Sequence, residues 1–171
     1  MTCFYRVKKR LNSDGNGDLP LHSTFFCFTF RLLMTTKRIL LIDDDTDDQL
    51  FFTDAVGDIN PGIICEIAGH GLEGLKKLQS GSLPDVIFLD LNMPIMNGFD
   101  FLEKFRENED WKNVPVVIYS TSNQQCDMER AQQLGAQAFL TKPSSMQELH
   151  SSLERLLNVD FSEISQQITI F

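Results

Sequence analysis

Four short apolar runs in this chain each stop at polar residues suited to phosphoryl chemistry. Ile39-Leu40-Leu41-Ile42 ends in Asp43-Asp44-Asp45, Val86-Ile87-Phe88-Leu89 in Asp90, Val116-Val117-Ile118-Tyr119 in Ser120-Thr121-Ser122, and Ala138-Phe139-Leu140-Thr141 in Lys142-Pro143. Placing a phosphoryl group on a carboxylate takes a nucleophilic Asp, a hard divalent cation against the equatorial oxygens, and a fixed ammonium or hydroxyl on the others. Asp90, the Asp43-Asp44 pair, Ser120 and Lys142 supply that set. Mg2+ favours octahedral oxygen ligation through one or two carboxylates, a carbonyl and water. Asp43, Asp44, Asp90 and the backbone carbonyl of Asn92, two residues past the nucleophile, match it. Three carboxylates drawn so close raise at least one pKa unless a cation lies between them, so the cluster implies Mg2+. No separate cofactor-binding residues are predicted.

These residues converge only if the runs are neighbouring parallel strands. From Lys37 onward the pattern reads as five βα units, with strands near residues 38–43, 63–68, 85–90, 115–120 and 137–141. The first, third and fourth are continuously apolar, as central strands covered by helices on both faces must be. The second carries Glu66 and the fifth is short, so these two are placed at the edges. An α/β doubly wound five-stranded parallel sheet of order 2-1-3-4-5 meets these requirements and opens its crevice between strands one and three, where Asp43-Asp44 faces Asp90.

The helices fit the plan. The first is expected over residues 46–56, capped by Asp45 or Thr46 and stopped by Gly57. Asp47 and Asp48 fall in its first turn, where the helix dipole accounts for them. Met146, Leu149, Leu153, Leu156 and Leu157 form the clearest apolar stripe, in the last helix. The fourth helix, around residues 124–134, offers only Met128, Ala131 and Leu134, which predicts a loosely seated element.

The chain has 171 residues, 42% hydrophobic and 23% charged, which suits one globular domain with extensions. Its net charge of −9 disfavours direct DNA binding and anionic membrane surfaces. Cys3, Cys27, Cys65 and Cys126 lie far apart without metal-type spacing, which fits reduced thiols in a cytoplasmic protein. Residues 1–36 show no βα pattern and are expected to be a disordered leader, or an over-extended translation start with the natural one at Met34. Asn12 to Asp18 is read as a flexible turn rather than a calcium loop, because Ser23 stands where a bidentate Glu is needed. Residues 159–171 are expected to be a C-terminal tail, too short for an effector domain.

Ile-Leu-Leu-Ile-Asp-Asp-Asp, Asp90-Leu-Asn-Met-Pro-Ile-Met-Asn-Gly98, Ser120-Thr-Ser and Lys142-Pro143, in this order and spacing, resemble the receiver domain of bacterial two-component response regulators over residues 37–158. The resemblance implies the flavodoxin-like receiver fold. It implies that Asp90 accepts a phosphoryl group from a histidine kinase or phosphotransfer protein, that Asp43 and Asp44 hold Mg2+, that Ser120 moves its hydroxyl onto a phosphoryl oxygen, and that Lys142 pairs with another. It further implies a cis peptide before Pro143, loop-shaping roles for Pro94 and Gly98, and an aromatic switch at Phe139 that swings inward when Ser120 moves. Thr121 stands where many members have Ala or Gly, which narrows access to the phosphoryl group. Asn97 replaces a frequent Asp.

The expected function is therefore a single-domain response regulator that signals through a protein bound on the face of the fourth helix, fifth strand and fifth helix. Its chemistry is confined to its own phosphorylation and dephosphorylation. One alternative is a phosphorylation-independent scaffold. The other is an Asp-nucleophile phosphohydrolase, which needs an acid at position 92, where this chain has Asn. Taken singly, Asp43-Asp44 reads as a capping pair, Asp90 as a turn residue, Ser120 as a loop hydroxyl and Lys142 as a solvated charge.

Overall fold

The computed structural model describes residues 37–159, residue 161 and residues 169–170. The expectations for residues 1–36, and for most of the tail, lie outside the described residues. The elements alternate as β1 (Arg38–Ile42), α1 (Thr46–Ile59), β2 (Ile64–Ala68), α2 (Gly71–Ser80), β3 (Val86–Leu89), α3 (Gly98–Arg106), β4 (Val116–Ser120), α4 (Gln125–Gln133), β5 (Ala138–Thr141), α5 (Met146–Leu157) and β6 (Thr169–Ile170). All strands pair in parallel, in the order β2-β1-β3-β4-β5-β6. The five-stranded 2-1-3-4-5 sheet is the one expected, with one addition. The two-residue β6 pairs Ala138 with Thr169 and Phe139 with Ile170, so β5 is not the outer strand.

Alternation along the strands divides the core into two layers. Leu40, Ile42, Ile87, Leu89, Ile118 and Phe139 face α2, α3 and α4. Ile39, Leu41, Phe88, Val117, Tyr119 and Leu140 face α1 and α5. In the second layer the Phe52 ring of α1 meets Phe88 edge-on at 4.8 Å and Tyr119 at 5.3 Å, which seats the helix carrying the first-turn acids.

Four of the five helices start on a side-chain cap. Asp45 Oδ1 accepts from the Asp47 and Asp48 amides, His70 Nδ1 from Glu73, Asn97 Oδ1 from Asp100, and Ser145 Oγ from Glu148. The Gln124 side chain makes no such bond at the start of α4. That helix also buries only Met128 and Ala131, as its thin stripe predicts. Asn97 does more than an Asp would, because its Nδ2 also donates to Asp100 Oδ2 at 2.8 Å.

Two local expectations are corrected. α1 runs through Gly57 and stops at Asn60, whose φ of −156° and ψ of 106° are extended. The reason is Pro61, which pushes the preceding residue out of the helical region, while half-buried Ile59 still packs on the core. The structure contains no cis peptide bond among the described residues, so Lys142-Pro143 is trans, the isomer favoured by the X-Pro amide itself.

Gly98 shows how tightly the site loop is built. A Cβ there would lie 2.3 Å from the Asp90 carbonyl oxygen and 2.9 Å from Leu91 Cα. Backbone cannot yield as a flexible side chain can, so Gly98→Ala is expected to lower unfolding free energy by about 1–3 kcal/mol. Urea unfolding measures this, and an unchanged midpoint would show that the loop relaxes without cost.

Candidate phosphoacceptor site

The predicted acids, hydroxyl and ammonium stand at the carboxyl edge of the sheet because the chain leaves its strands there, whereas Phe139 lies within β5. Asp43 and Asp44 follow β1, Asp90 follows β3, Ser120 is the last residue of β4, and Lys142 follows β5. Asp43, Asp44 and Asp90 come together, each offering a carboxylate oxygen within 4.8 Å of the others. Asp43 is fully buried, Asp90 is nearly so and Asp44 is exposed. Asn92 stands on the exposed loop after Asp90.

The two oxygens of Asp90 are in different surroundings. Oδ1 accepts from the Leu91 amide at 2.7 Å, while Oδ2 faces the Lys142 ammonium at 3.4 Å. The Asp90 amide donates to Ile42 O at 2.9 Å, which ties the acceptor to the end of β1. Asp43 is held from several sides. Its amide donates to Ala68 O, its carbonyl accepts from Gln49 Nε2 at 2.7 Å, and its Oδ1 accepts from the Asp45 amide at 3.0 Å.

Asp43 Oδ2 lies 2.8 Å from Lys142 Nζ yet has no well-aligned hydrogen-bond donor. The contact is an ion pair without good hydrogen-bond direction. Burial pushes the Asp43 carboxyl above its ordinary pKa, against the opposing pull of Lys142, and the Asp90 charge adds to the rise. A buried, underused carboxylate oxygen beside two further acids is a donor set that fits a hard divalent cation.

Lys142 is the hub. Its side chain is only 7% exposed, and Nζ lies 2.7 Å from Asp48 Oδ2, 2.8 Å from Asp43 Oδ2 and 3.4 Å from Asp90 Oδ2. Burial pulls its pKa down, but the Asp43 and Asp48 carboxylates close against it, together with the Asp90 charge, outweigh this and leave it raised. It is an ammonium at any working pH. Its backbone amide donates to Ser120 O at 2.8 Å, which fixes the ends of β4 and β5 together.

Asp48 was missed by sequence reasoning. It lies 94 residues from Lys142, and a first-turn acid already has a sufficient explanation in the helix dipole. The available signal was positional: a helix separated from β1 by only three residues must lay its first turn over the carboxyl edge.

Ser120 is fully buried, and its Oγ accepts from the Ser122 amide at 3.5 Å. Ser122 Oγ in turn donates to Asp127 Oδ2 at 2.5 Å, which joins this loop to α4. Thr121 is exposed. Phe139 is fully buried, packed in the layer that contains Ile118, Met128 and Ala131. The ring expected to swing inward is thus already inside, because a Phe has no hydroxyl to hold toward water and gains by burial.

The loop after Asp90 stores strain. Ile95 has a φ of 69°, a left-handed conformation that is costly for a β-branched residue, and it is 78% exposed. Buried Met93 and Met96 pin the loop on either side, and Gly71 N donates to Met96 O at 3.3 Å.

A family model described as the response regulator receiver domain matches residues 39–154. Chemotaxis protein CheY1 of Helicobacter pylori is 27% identical over 123 residues, covering 72% of this chain and 98% of that protein. The sensor histidine kinase CheAY of Helicobacter pylori is 30% identical over 123 residues, 71% of this chain but only 15% of the kinase. Among solved structures, chemotaxis response regulator CheY4 of Vibrio cholerae aligns with a TM-score of 0.63 at 30% identity, covering 71% of this chain and 99% of that one. The Mn(2+)-bound form of response regulator Rcp1 aligns with a TM-score of 0.66 at 25% identity, covering 75% and 97%. With its acids, hydroxyl and ammonium at the carboxyl edge of a 2-1-3-4-5 sheet, and the family model matched from Ile39 to Glu154, this chain belongs to the family of response regulator receiver domains.

Proposed function

We propose that Asp90 is a phosphoacceptor, charged by a histidine kinase or a histidine phosphotransfer protein in a Mg2+-dependent reaction. The observation that carries this reading is the asymmetry of Asp90, with Oδ1 held by the backbone and Oδ2 turned to a buried ammonium beside two more carboxylates. One carboxylate oxygen of Asp90 forms a bond to phosphorus, and the bond from phosphorus to the donor's imidazole nitrogen breaks, its electron pair leaving with the imidazole. Asp43, Asp44, Asp90 and the Asn92 carbonyl would hold the cation. Bound there, it offsets charge on the phosphoryl oxygens. Lys142 pairs with one of those oxygens, and the Ser120 hydroxyl donates to another.

The output runs through the loop after β4. Drawing Ser120 toward the phosphoryl group pulls on Ser122 and, through Asp127, on the uncapped α4. The face of α4, β5 and α5 then presents a different surface to a partner protein. Phe139, buried in the same layer as Met128 and Ala131 of α4, is the aromatic that would respond to the Ser120 shift. Cytoplasmic location and the absence of direct DNA or membrane binding fit the acidic charge and the lack, among the described residues, of any helix long and apolar enough to cross a membrane.

Intact mass spectrometry tests the reading. With Mg2+ and a small acyl phosphate, wild type is expected to gain one phosphoryl group, and Asp90→Ala and metal-free wild type none. An adduct on Asp90→Ala would overturn the assignment.

Asp43 gives a second prediction, with its sign set by linkage. A carboxyl whose folded pKa lies above its ordinary 3.8 lends stability that is fully present below 3.8 and lost as pH rises through the folded value. Ionised Asp43 therefore costs stability at neutral pH. Without metal, Asp43→Asn is expected to be more stable than wild type by about 0.5–2 kcal/mol at pH 7. Mg2+ should raise the urea midpoint of wild type but not of the variant. A metal-free variant less stable than wild type would mean that the Lys142 pair outweighs desolvation.

A further inference from the structure

Lys142 has to meet the phosphoryl group, yet the structure shares its ammonium between Asp43 at the end of β1 and Asp48 on α1. Its hydrogen bond to Asp48 Oδ2 is 2.7 Å and that to Asp90 Oδ2 is 3.4 Å, while Asp43 Oδ2 lies at 2.8 Å. Asp48 is also the only one of the three Lys142 carboxylates outside the Asp43, Asp44, Asp90 cluster that fits a cation. A cation in that cluster competes with Lys142 for Asp43 and Asp90 and leaves Asp48 as its undivided counter-charge. The rigid supports of Asp48 keep it in place. Asp45 caps its amide at 3.2 Å, and Phe52 anchors the same helix against Phe88 and Tyr119.

We propose that Asp48 is a positioning residue that parks Lys142 on α1 in the unphosphorylated protein and yields it to the phosphoryl oxygen, setting how readily Asp90 becomes and stays phosphorylated. This rests on Asp90 as the phosphoacceptor. The Asp48 carboxylate touches no reacting atom. It acts on the equilibrium because every contact Lys142 makes to the phosphoryl group is made at the expense of its ion pair with Asp48. The Asp48 side chain is 36% exposed, so water screens the pair and its release is easy. A fully buried pair would lock the ammonium, and a fully solvated one would not bias it.

The test compares wild type, Asp48→Asn and Asp48→Glu in Mg2+ with acetyl phosphate, reading the phosphorylated fraction by intact mass. Asp48→Asn is expected to reach half-occupancy at about one third of the wild-type donor concentration, the scale of a partly screened ion pair. Asp48→Glu keeps the charge and should stay near wild type. A half-occupancy point for Asp48→Asn that is unchanged or higher overturns the proposal, and so does an equal shift in both variants, which would mark a merely structural role. A second readout does not depend on phosphorylation. Mass mapping after brief acylation with an N-hydroxysuccinimide ester of acetate should show Lys142 about threefold more reactive in Asp48→Asn than in wild type, relative to Lys76 on α2 in the same molecule. If wild type accepts no phosphoryl group, the function proposed for Asp90 fails, while unchanged Lys142 reactivity in Asp48→Asn overturns the role of Asp48 by itself.

Discussion

Lys142 stands among three carboxylates with a fourth close by, and the carboxyl edge of the sheet is organised around the charge imbalance this leaves. One ammonium cannot neutralise four acids. Each acid therefore has to be stabilised in another way or left partly unsatisfied. Asp90 takes a backbone amide on one oxygen, Asp48 takes the helix dipole and partial exposure, and Asp44 takes water. Asp43 alone is fully buried, and it retains an oxygen without a directional donor. The pocket is thus built for more positive charge than the chain itself supplies, a pattern in which stability is given up for binding.

That imbalance is sustained by an otherwise conventional frame. Strands β1, β3 and β4 bury almost every side chain, so the register that brings Asp43 beside Asp90 cannot slip without exposing a whole apolar face. The Lys142 amide bonded to Ser120 O and the Asp90 amide bonded to Ile42 O extend this register to the first residues beyond the strands. Backbone pairing, not side-chain contact, places the charged groups at their working separations. The side chains then distribute the electrostatic load.

How much of this was legible in the sequence follows from the range of the interactions. The sheet order and the meeting of Asp43, Asp44, Asp90, Ser120 and Lys142 were legible because apolar runs betray buried strands, and a parallel sheet sends their ends to one edge. The true end of α1 at Asn60 was masked by Gly57, where an added Cβ would meet nothing within 4 Å, so glycine is merely tolerated there. The β6 pairing was not legible, since two residues carry no periodicity. The position of Phe139 was less legible, because the resemblance supplied an aromatic that moves inward, whereas in this structure the ring, without a hydroxyl, is fully buried. Asp48 was hidden by having a sufficient local explanation. A residue can satisfy its helix and still serve a partner far along the chain.

The same accounting of contacts indicates where conformational change is cheapest. Four helices of the wound sheet start on a side-chain cap, α5 also carries the longest apolar stripe, and α4 has neither advantage. The first residues of α4 are joined to the site loop through Ser122 and Asp127, and the buried hydroxyl of Ser120 accepts one long hydrogen bond from the Ser122 amide. A two-state element needs a small energy gap and a mechanical link to the group that senses the signal. In the proposed function α4 is that element: its cap is missing, it buries few apolar groups, and Ser122 links it to the site, donating from its amide to Ser120 Oγ and from its hydroxyl to Asp127. Phe139 packs in the same buried layer as Met128 and Ala131 of α4, so the ring and the helix that would move share one set of contacts.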